Sequence, residues 1–336
     1  VISLLIVNYR SAALAIEAIR TARAATSSPL EIVVVDNSCD AREVEALRPH
    51  ADQLIVSATN RGYAGAINDG RRACSGDVIV VSNPDVRFDA GSIDALAAAL
   101  TGDVVVAGPA LFWDDAFTWI LPPSELHAGR EKLGEVLASR SRAYAASRDR
   151  RRIEQRIAFW SSKETRTVEA ISGAVMAIRA TSFAGFDERF FLYFEETDFL
   201  RRVGKHRIAY VPAARCRHLY NQSAAQSSEA AALYAQSEMR YLEKWNGPFV
   251  ARLLKRLERP ARLSVAPAPP PAGTGDFVIE ASPLESFETA AGHFATKTDV
   301  ELPPEVWDSY RGNALYLRVI ERATARVVGA FVRYKS

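Results

Sequence analysis

Val1-Ile2-Ser3-Leu4-Leu5-Ile6-Val7, followed by Asn8-Tyr9-Arg10 and then by Leu14, Ala18 and Ala22 at helical spacing, decides how the chain is read. A continuous apolar run of this length suits a strand buried on both faces, and the spacing after it suits a helix laid over that strand. The alternation recurs. Strand-like runs at residues 31–35, 53–56, 77–82 and 104–107 alternate with helical stretches at 41–47, 62–73 and 90–100. This rhythm predicts βαβ units and a mostly parallel, doubly wound α/β sheet, whose ligands sit beyond the carboxyl ends of the strands. The residues that follow each strand therefore carry most weight: Asn8-Tyr9-Arg10, Asp36-Asn37-Ser38, Asn60-Arg61-Gly62 and Asn83-Pro84-Asp85.

From residue 113 to 167 the strand rhythm stops, and helices are expected at 131–146 and 148–159. Residues 140–156 hold seven arginines against Asp149 and Glu154. A solvated helical face is the ordinary explanation, and contact with anionic lipid headgroups or a phosphate-bearing acceptor is the functional one. Trp113, Phe117, Trp119, Phe159 and Trp160 flank the run and favour an interface. Strands are expected again at 168–172, 173–178 and 208–211, the last ended by Pro212, and helices at 228–257 with a break at Gly247-Pro248. The division that follows is a main α/β unit at 1–259, a Pro/Ala linker at 260–275 and a small β-rich module at 276–336 with a hairpin at 314–321 and 326–334.

Composition narrows the class. With 336 residues, 48% hydrophobic and 24% charged, the chain can bury a full core and is expected to be soluble and globular. A net charge of +2 gives no case for nucleic acid. No run of apolar residues is long enough to span a membrane. Cys39, Cys74 and Cys216 lie far apart with no CxxC pair, which points to a reducing, cytoplasmic setting. The chain opens at Val1 within a strand, so a few native residues are expected to precede it.

Phe190-Phe191-Leu192-Tyr193-Phe194 runs straight into Glu195-Glu196-Thr197-Asp198. Carboxylates crowded beside apolar surface repel one another and lose solvation, so at least one should titrate high unless a cation compensates. Such groups suit proton abstraction or metal work; the plain alternative is a strand ending at Phe194 before an acidic helix start. A dinucleotide dehydrogenase would need a Gly-rich turn where Asn8-Tyr9-Arg10-Ser11 stands, and no GxxxxGK[ST] loop occurs. Phosphates would then need another counter-charge, which a divalent cation on Asp85 could supply.

Asp36-Asn37-Ser38, residues 60–70 from Asn60-Arg61-Gly62 to Asn68, Ser82-Asn83-Pro84-Asp85, residues 185–191, Glu195-Glu196-Thr197-Asp198 with Arg202, and Arg215-Cys216-Arg217-His218 stand in the order seen in family-two inverting glycosyltransferases. The chain resembles their bacterial rhamnosyltransferase-like branch over residues 1–245. The resemblance implies a glycosyltransferase A-type fold, with the helical insertion at 113–167 and the β-rich tail as additions. It implies a dTDP-rhamnose or UDP-sugar donor, Mn²⁺ or Mg²⁺, and inversion at the anomeric carbon. The acceptor would be a glycan or polyprenyl-linked glycan of bacterial surface polysaccharide synthesis, met at the inner face of the membrane.

By the same resemblance Asp36 accepts from the base-ring imide, and Asn8, Tyr9, Arg10, Asn60, Arg61, Gly62, Asn68, Asn83 and Asp85 line the donor. Asp85 and His218 hold the metal. Glu196 is the general base, and Gly173, Glu195, Asp198 and Arg202 bind acceptor or support the loop. Asn83 stands where the family carries an acid, and Glu196 where many relatives carry Asp. These departures motivate a second expectation, a sugar-nucleotide-binding or scaffold subunit with a decayed site. A nucleotidylyltransferase ranks third, because its Gly-rich, basic first loop is missing.

Overall fold

The computed structural model of the protein describes residues 1–127, 129–219, 228–258, 268–269 and 273–335. The linker expected at 260–275 lies largely outside the described residues.

Strand β1 (Ile2–Asn8) is buried along its whole length, as a run apolar at every position but Ser3 and Asn8 favours. Helix α1 (Ala12–Ala24) buries Ala15, Ala18, Ile19 and Ala22, and the chain returns as β2 (Leu30–Asp36), parallel to β1 with Asn8 beside Asp36. Helix α2 (Ala41–Leu47) begins at Asp40, whose side chain accepts from the Arg42 amide. It leads to β3 (Gln53–Val56), and α3 (Gly62–Ala73) leads to β4 (Val78–Ser82) on the other side of β1. Next come β5 (Val86–Phe88), α4 (Ser92–Ala98), β6 (Val106–Phe112), α5 (Gly129–Ala138), α6 (Arg142–Trp160), β7 (Arg166–Thr167) and β8 (Val175–Arg179). Helix α7 (Glu195–Val203), β9 (Ile208–His218), α8 (Ser228–Asn246) and α9 (Pro248–Leu257) follow. The tail holds β10 (Thr274–Ser282), β11 (Ala291–Lys297), α10 (Pro304–Ser309), β12 (Ala314–Glu321) and β13 (Arg326–Tyr334).

The main sheet runs β3-β2-β1-β4-β8-β6-β9-β5, with β7 on β9. Its first four strands are parallel, whereas β8 is antiparallel to β4 and β6, so the sheet is mixed. The parallel half aligns the carboxyl ends of β1, β2 and β4 on one edge, and the site grows from that edge.

Four expectations need correction. Residues 168–172 form no strand. Pro212 does not end β9, which runs on to His218; its pairing with β6 shifts register just after Val211, so the proline occupies an irregularity where its missing N–H breaks no ladder bond. The helix expected at 131–146 breaks before Ser141, whose hydroxyl accepts from the Tyr144 amide and opens α6. Residues 190–194 are irregular rather than strand.

The tail is more than a hairpin: it is an antiparallel sheet ordered β11-β10-β12-β13. It packs on the insertion. Ile120 and Gly292 exchange backbone hydrogen bonds of 2.8 Å each, and the Trp160 indole donates to the Leu121 carbonyl at 3.0 Å. Trp113, Trp119 and Leu121 share one apolar core with Ile279, Leu317 and Val319. Charge reinforces the contact, since Arg156 meets both Glu280 oxygens at 2.7 and 3.0 Å, and Arg318 meets Glu280 at 2.7 Å and Asp149 at 2.8 Å. The basic run on α6 is thus divided. Arg148 and Arg152 pair with Glu288, and Arg156 is buried against Glu280, while Arg140, Arg142, Arg150 and Arg151 stay exposed.

Candidate active site

The floor of the site is a polar lattice at the ends of β1 and β2. Asn8 is fully buried, and its amide donates to Asp36 at 2.7 Å, Ser38 at 3.2 Å and Glu43 at 2.9 Å. Asp36 is buried too, and its Oδ2 has no hydrogen-bond partner. A buried carboxylate oxygen left open in this way costs free energy unless a ligand donor meets it. Asn37 ties in the next segment, accepting from the Arg61 amide at 2.9 Å and donating to Asn60 at 2.8 Å. Arg61 reaches Glu188 at 3.1 Å, and Arg10 lies over the half-exposed Tyr9 ring at 5.4 Å. Asn68 is turned to structure: its amide clamps the backbone of Phe186 and the Glu188 carboxylate.

Beyond β4, the Asn83 amide nitrogen donates to the Ala174 carbonyl at 2.9 Å, and its side-chain oxygen accepts from the Tyr63 hydroxyl at 3.2 Å. Asp85 is buried, and β5 pairing with β9 brings His218 against it, with Nε2 at 3.4 Å from an Asp85 Oδ1 that has no hydrogen-bond partner. The carboxylate oxygen suits Mn²⁺ or Mg²⁺, and the imidazole beside it favours the transition metal, Mn²⁺, of the two. Among the described residues no group of three or more His, Cys, Asp or Glu could hold an ion. A cation here would complete its shell with water and phosphate, as Mg²⁺ commonly does.

Opposite lies the acidic helix start. Tyr193 and Phe194 both adopt left-handed backbone, φ 69° and 68°, which costs side-chain-bearing residues about 1–3 kcal/mol each. Three contacts hold that turn: Ser237 Oγ donates to Leu192 at 2.7 Å, the Tyr63 amide to Phe191 at 2.7 Å, and the Asp198 amide to Phe194 at 2.9 Å. The turn throws Glu195 and Glu196 onto the first turn of α7, facing the sheet edge. Burial, reinforced by the charge on Glu196, pushes the Glu195 carboxyl well up, and its Oε2 has no partner. Burial raises Glu196 as well, but its own and the Thr197 backbone amides and His127 oppose the rise. Both carboxyls are thus pushed toward the neutral form, Glu195 further than Glu196. Glu196 packs on Gly173, where a Cβ would lie 2.7 Å from its Cγ.

Asp198 supports the loop. It is fully buried, with Arg202 at 3.0 Å, Lys244 at 2.6 Å and the Trp245 indole at 2.9 Å. Arg202 also donates to the Gly185 carbonyl at 2.9 Å. Tyr63 was not anticipated. Burial first, then the charges of Glu195, Glu196 and Asp85, hold its hydroxyl above the ordinary tyrosine range, and its bonds to Asn83 and to the Phe191 carbonyl tie the strand end to the turn before α7. Its place inside the 60–70 motif was the available signal. His127 was also missed; one histidine in the insertion, far in sequence from Glu196, carries no such signal. No helix among the described residues is long and apolar enough to cross a membrane.

A family model, Glycosyl transferase family 2, matches residues 3–191. Over 218 residues the chain is 28% identical to the N-acetylglucosaminyl-diphospho-decaprenol L-rhamnosyltransferase of Mycobacterium tuberculosis, covering 58% of this chain and 68% of that protein. A solved mannosyltransferase from Pyrobaculum calidifontis in complex with GDP-Man and Mn²⁺ is similar at 14% identity and TM-score 0.46, over 75% of this chain and 69% of that one. Glucosyl-3-phosphoglycerate synthase from Mycobacterium tuberculosis, solved with Mn²⁺, UDP and glucosyl-3-phosphoglycerate, is similar at 18% identity and TM-score 0.43, over 73% and 80%.

Proposed function

Because this chain belongs to glycosyl transferase family 2, we propose that it transfers a sugar, with inversion, from a nucleotide donor to a hydroxyl of a lipid-linked glycan. Its mixed sheet is of the glycosyltransferase A type. The observation that carries the reading is Tyr63, whose hydroxyl bonds Asn83 beside Asp85 at 3.2 Å and whose amide bonds Phe191 in the turn before Glu195 and Glu196 at 2.7 Å. A donor half and an acceptor half meet there. The open Asp36 oxygen favours a base with a ring N–H, which uracil, thymine and guanine carry, and the resemblance narrows these to uracil or thymine. Asp85 and His218 would hold Mn²⁺ or Mg²⁺, which supplies positive charge to the departing diphosphate.

Glu196 takes the proton of the acceptor hydroxyl as that oxygen bonds to the anomeric carbon from the face opposite the nucleotide. The bond from that carbon to the diphosphate oxygen breaks in the same displacement, its electron pair leaving with the nucleoside diphosphate. Glu195, pushed further toward its neutral form than Glu196, lessens the repulsion between the two carboxyls. The 28% identical relative is named for transferring L-rhamnose to a diphospho-decaprenol-linked N-acetylglucosamine, which supports a rhamnosyl donor and a polyprenyl-linked acceptor here, met peripherally at the inner membrane face.

A thermal-shift series with UDP-, dTDP- and GDP-sugars, each with and without Mn²⁺, tests the donor side. Stabilisation is expected with dTDP-rhamnose or a UDP-sugar and larger with Mn²⁺, since ligand bound to the folded state raises apparent stability by mass action. A shift only with GDP-sugars would overturn the base assignment. Donor binding with no turnover over any acceptor would favour a binding subunit instead.

A further inference from the structure

Helix α9 presents an apolar face to solvent. Phe249 is 77%, Leu253 44% and Val250 40% exposed, while Ala251 and Leu254 are buried where α9 packs on α8 and α5. A surface helix of a globular protein normally turns polar residues outward. Here the outward residues are Phe249, Val250 and Leu253 beside exposed Arg252 and Arg256, and no acid lies between Pro248 and Leu257. Lys255 is occupied separately, paired with Glu238 and Glu258.

This face is tied to the active site through α8. Tyr241 packs on Phe194 at 5.3 Å, Ser237 holds the Leu192 carbonyl, and Lys244 and Trp245 hold Asp198. At Gly247-Pro248 the chain turns directly into α9. Whatever α9 docks on is therefore held close to the loop that presents Glu196.

We propose that α9 is a docking helix for an anionic lipid bilayer, with Phe249, Val250 and Leu253 entering the acyl boundary and Arg252 and Arg256 meeting headgroup phosphates. Apolar side chains flanked by cations, on a helix too short to span, fit the interfacial plane of a membrane. A second copy of the chain fits less well. Three apolar side chains fall far short of the roughly 800 Å² per partner of a stable interface, and a two-fold contact would set these arginines against their own copies. The proposal relocates membrane contact from α6, where Arg148, Arg152 and Arg156 serve the tail. It rests on the lipid-linked acceptor reading for its purpose, not for its physics.

Co-sedimentation with vesicles of mixed phosphatidylglycerol and phosphatidylcholine, free of any glycolipid, separates the two. The wild-type chain should bind, Phe249→Ser with Leu253→Ser should weaken binding at least about ten-fold, and Arg252→Gln with Arg256→Gln should weaken it about five-fold per arginine and flatten its salt dependence. Thermal melting and transfer to a water-soluble acceptor should be unchanged in both variants. Wild-type binding retained by the Phe249 and Leu253 variant, no wild-type binding to anionic vesicles, or a solution dimer dissolved by that variant would each overturn the proposal. Vesicle binding without transfer to any acceptor would sink the enzyme reading and leave the docking helix standing.

Discussion

Glu195 and Glu196 both stand on the first turn of α7 and burial pushes both up, but not equally. The charge on Glu196 adds to the rise at Glu195, whereas the Glu196 and Thr197 amides and His127 restrain the rise at Glu196. Both titrate above the ordinary glutamate range of about 4.3, so folding favours their protonated forms. Their contribution to stability is fully present below that range and is lost as pH rises through the raised values. Glu195→Gln should therefore melt higher than wild type near about pH 8 and gain nothing near about pH 4. Because burial rather than Glu195 raises Glu196, the same substitution should leave the acid limb of kcat/KM above the ordinary glutamate range. A limb that falls back into that range would show that Glu195 carries charge where Glu196 titrates.

The turn before α7 explains why this junction exists. Aromatic residues at 190–194 look like strand by composition, yet Tyr193 and Phe194 are left-handed, and Phe190, Phe194 and Tyr241 bury together beneath them. Gly62 faces the same turn at φ 71°, and a Cβ there would strike the Phe191 carbonyl oxygen. Gly62→Ala should cost about 1–3 kcal/mol in urea unfolding and weaken donor binding with it, because the Asn37 and Arg61 contacts lie beside it. Unchanged unfolding would mean that the turn does not press on α3. Strands β1, β2 and β4 were legible because continuous apolar runs admit little else. The passage of β9 through Pro212 was not, since a register shift is a property of two paired strands. The places of Asp36 and Asp85 near strand ends and of Glu196 at a helix start follow from the sequence pattern, whereas the contacts of Tyr63 and His127 come from packing.

Across the molecule, the small β-rich tail forms its own four-stranded sheet and packs on the insertion through a buried charge cluster. Glu280 is fully buried between Arg156 of the insertion and Arg318 of β12, and Asp149 completes the set. Removing one partner of such a group leaves buried charge uncompensated, which is strongly destabilising. Glu280→Gln should cost about 3–5 kcal/mol, read in a single urea transition for the whole chain. A separate early transition of the tail would contradict the shared core.

The proposed displacement turns on one proton, and so on Glu196→Gln assayed for both donor binding and transfer. Donor affinity should hold within about two-fold while kcat falls by about 10²–10⁴, the usual worth of a positioned base. Transfer at the wild-type rate would show that another group takes the acceptor proton.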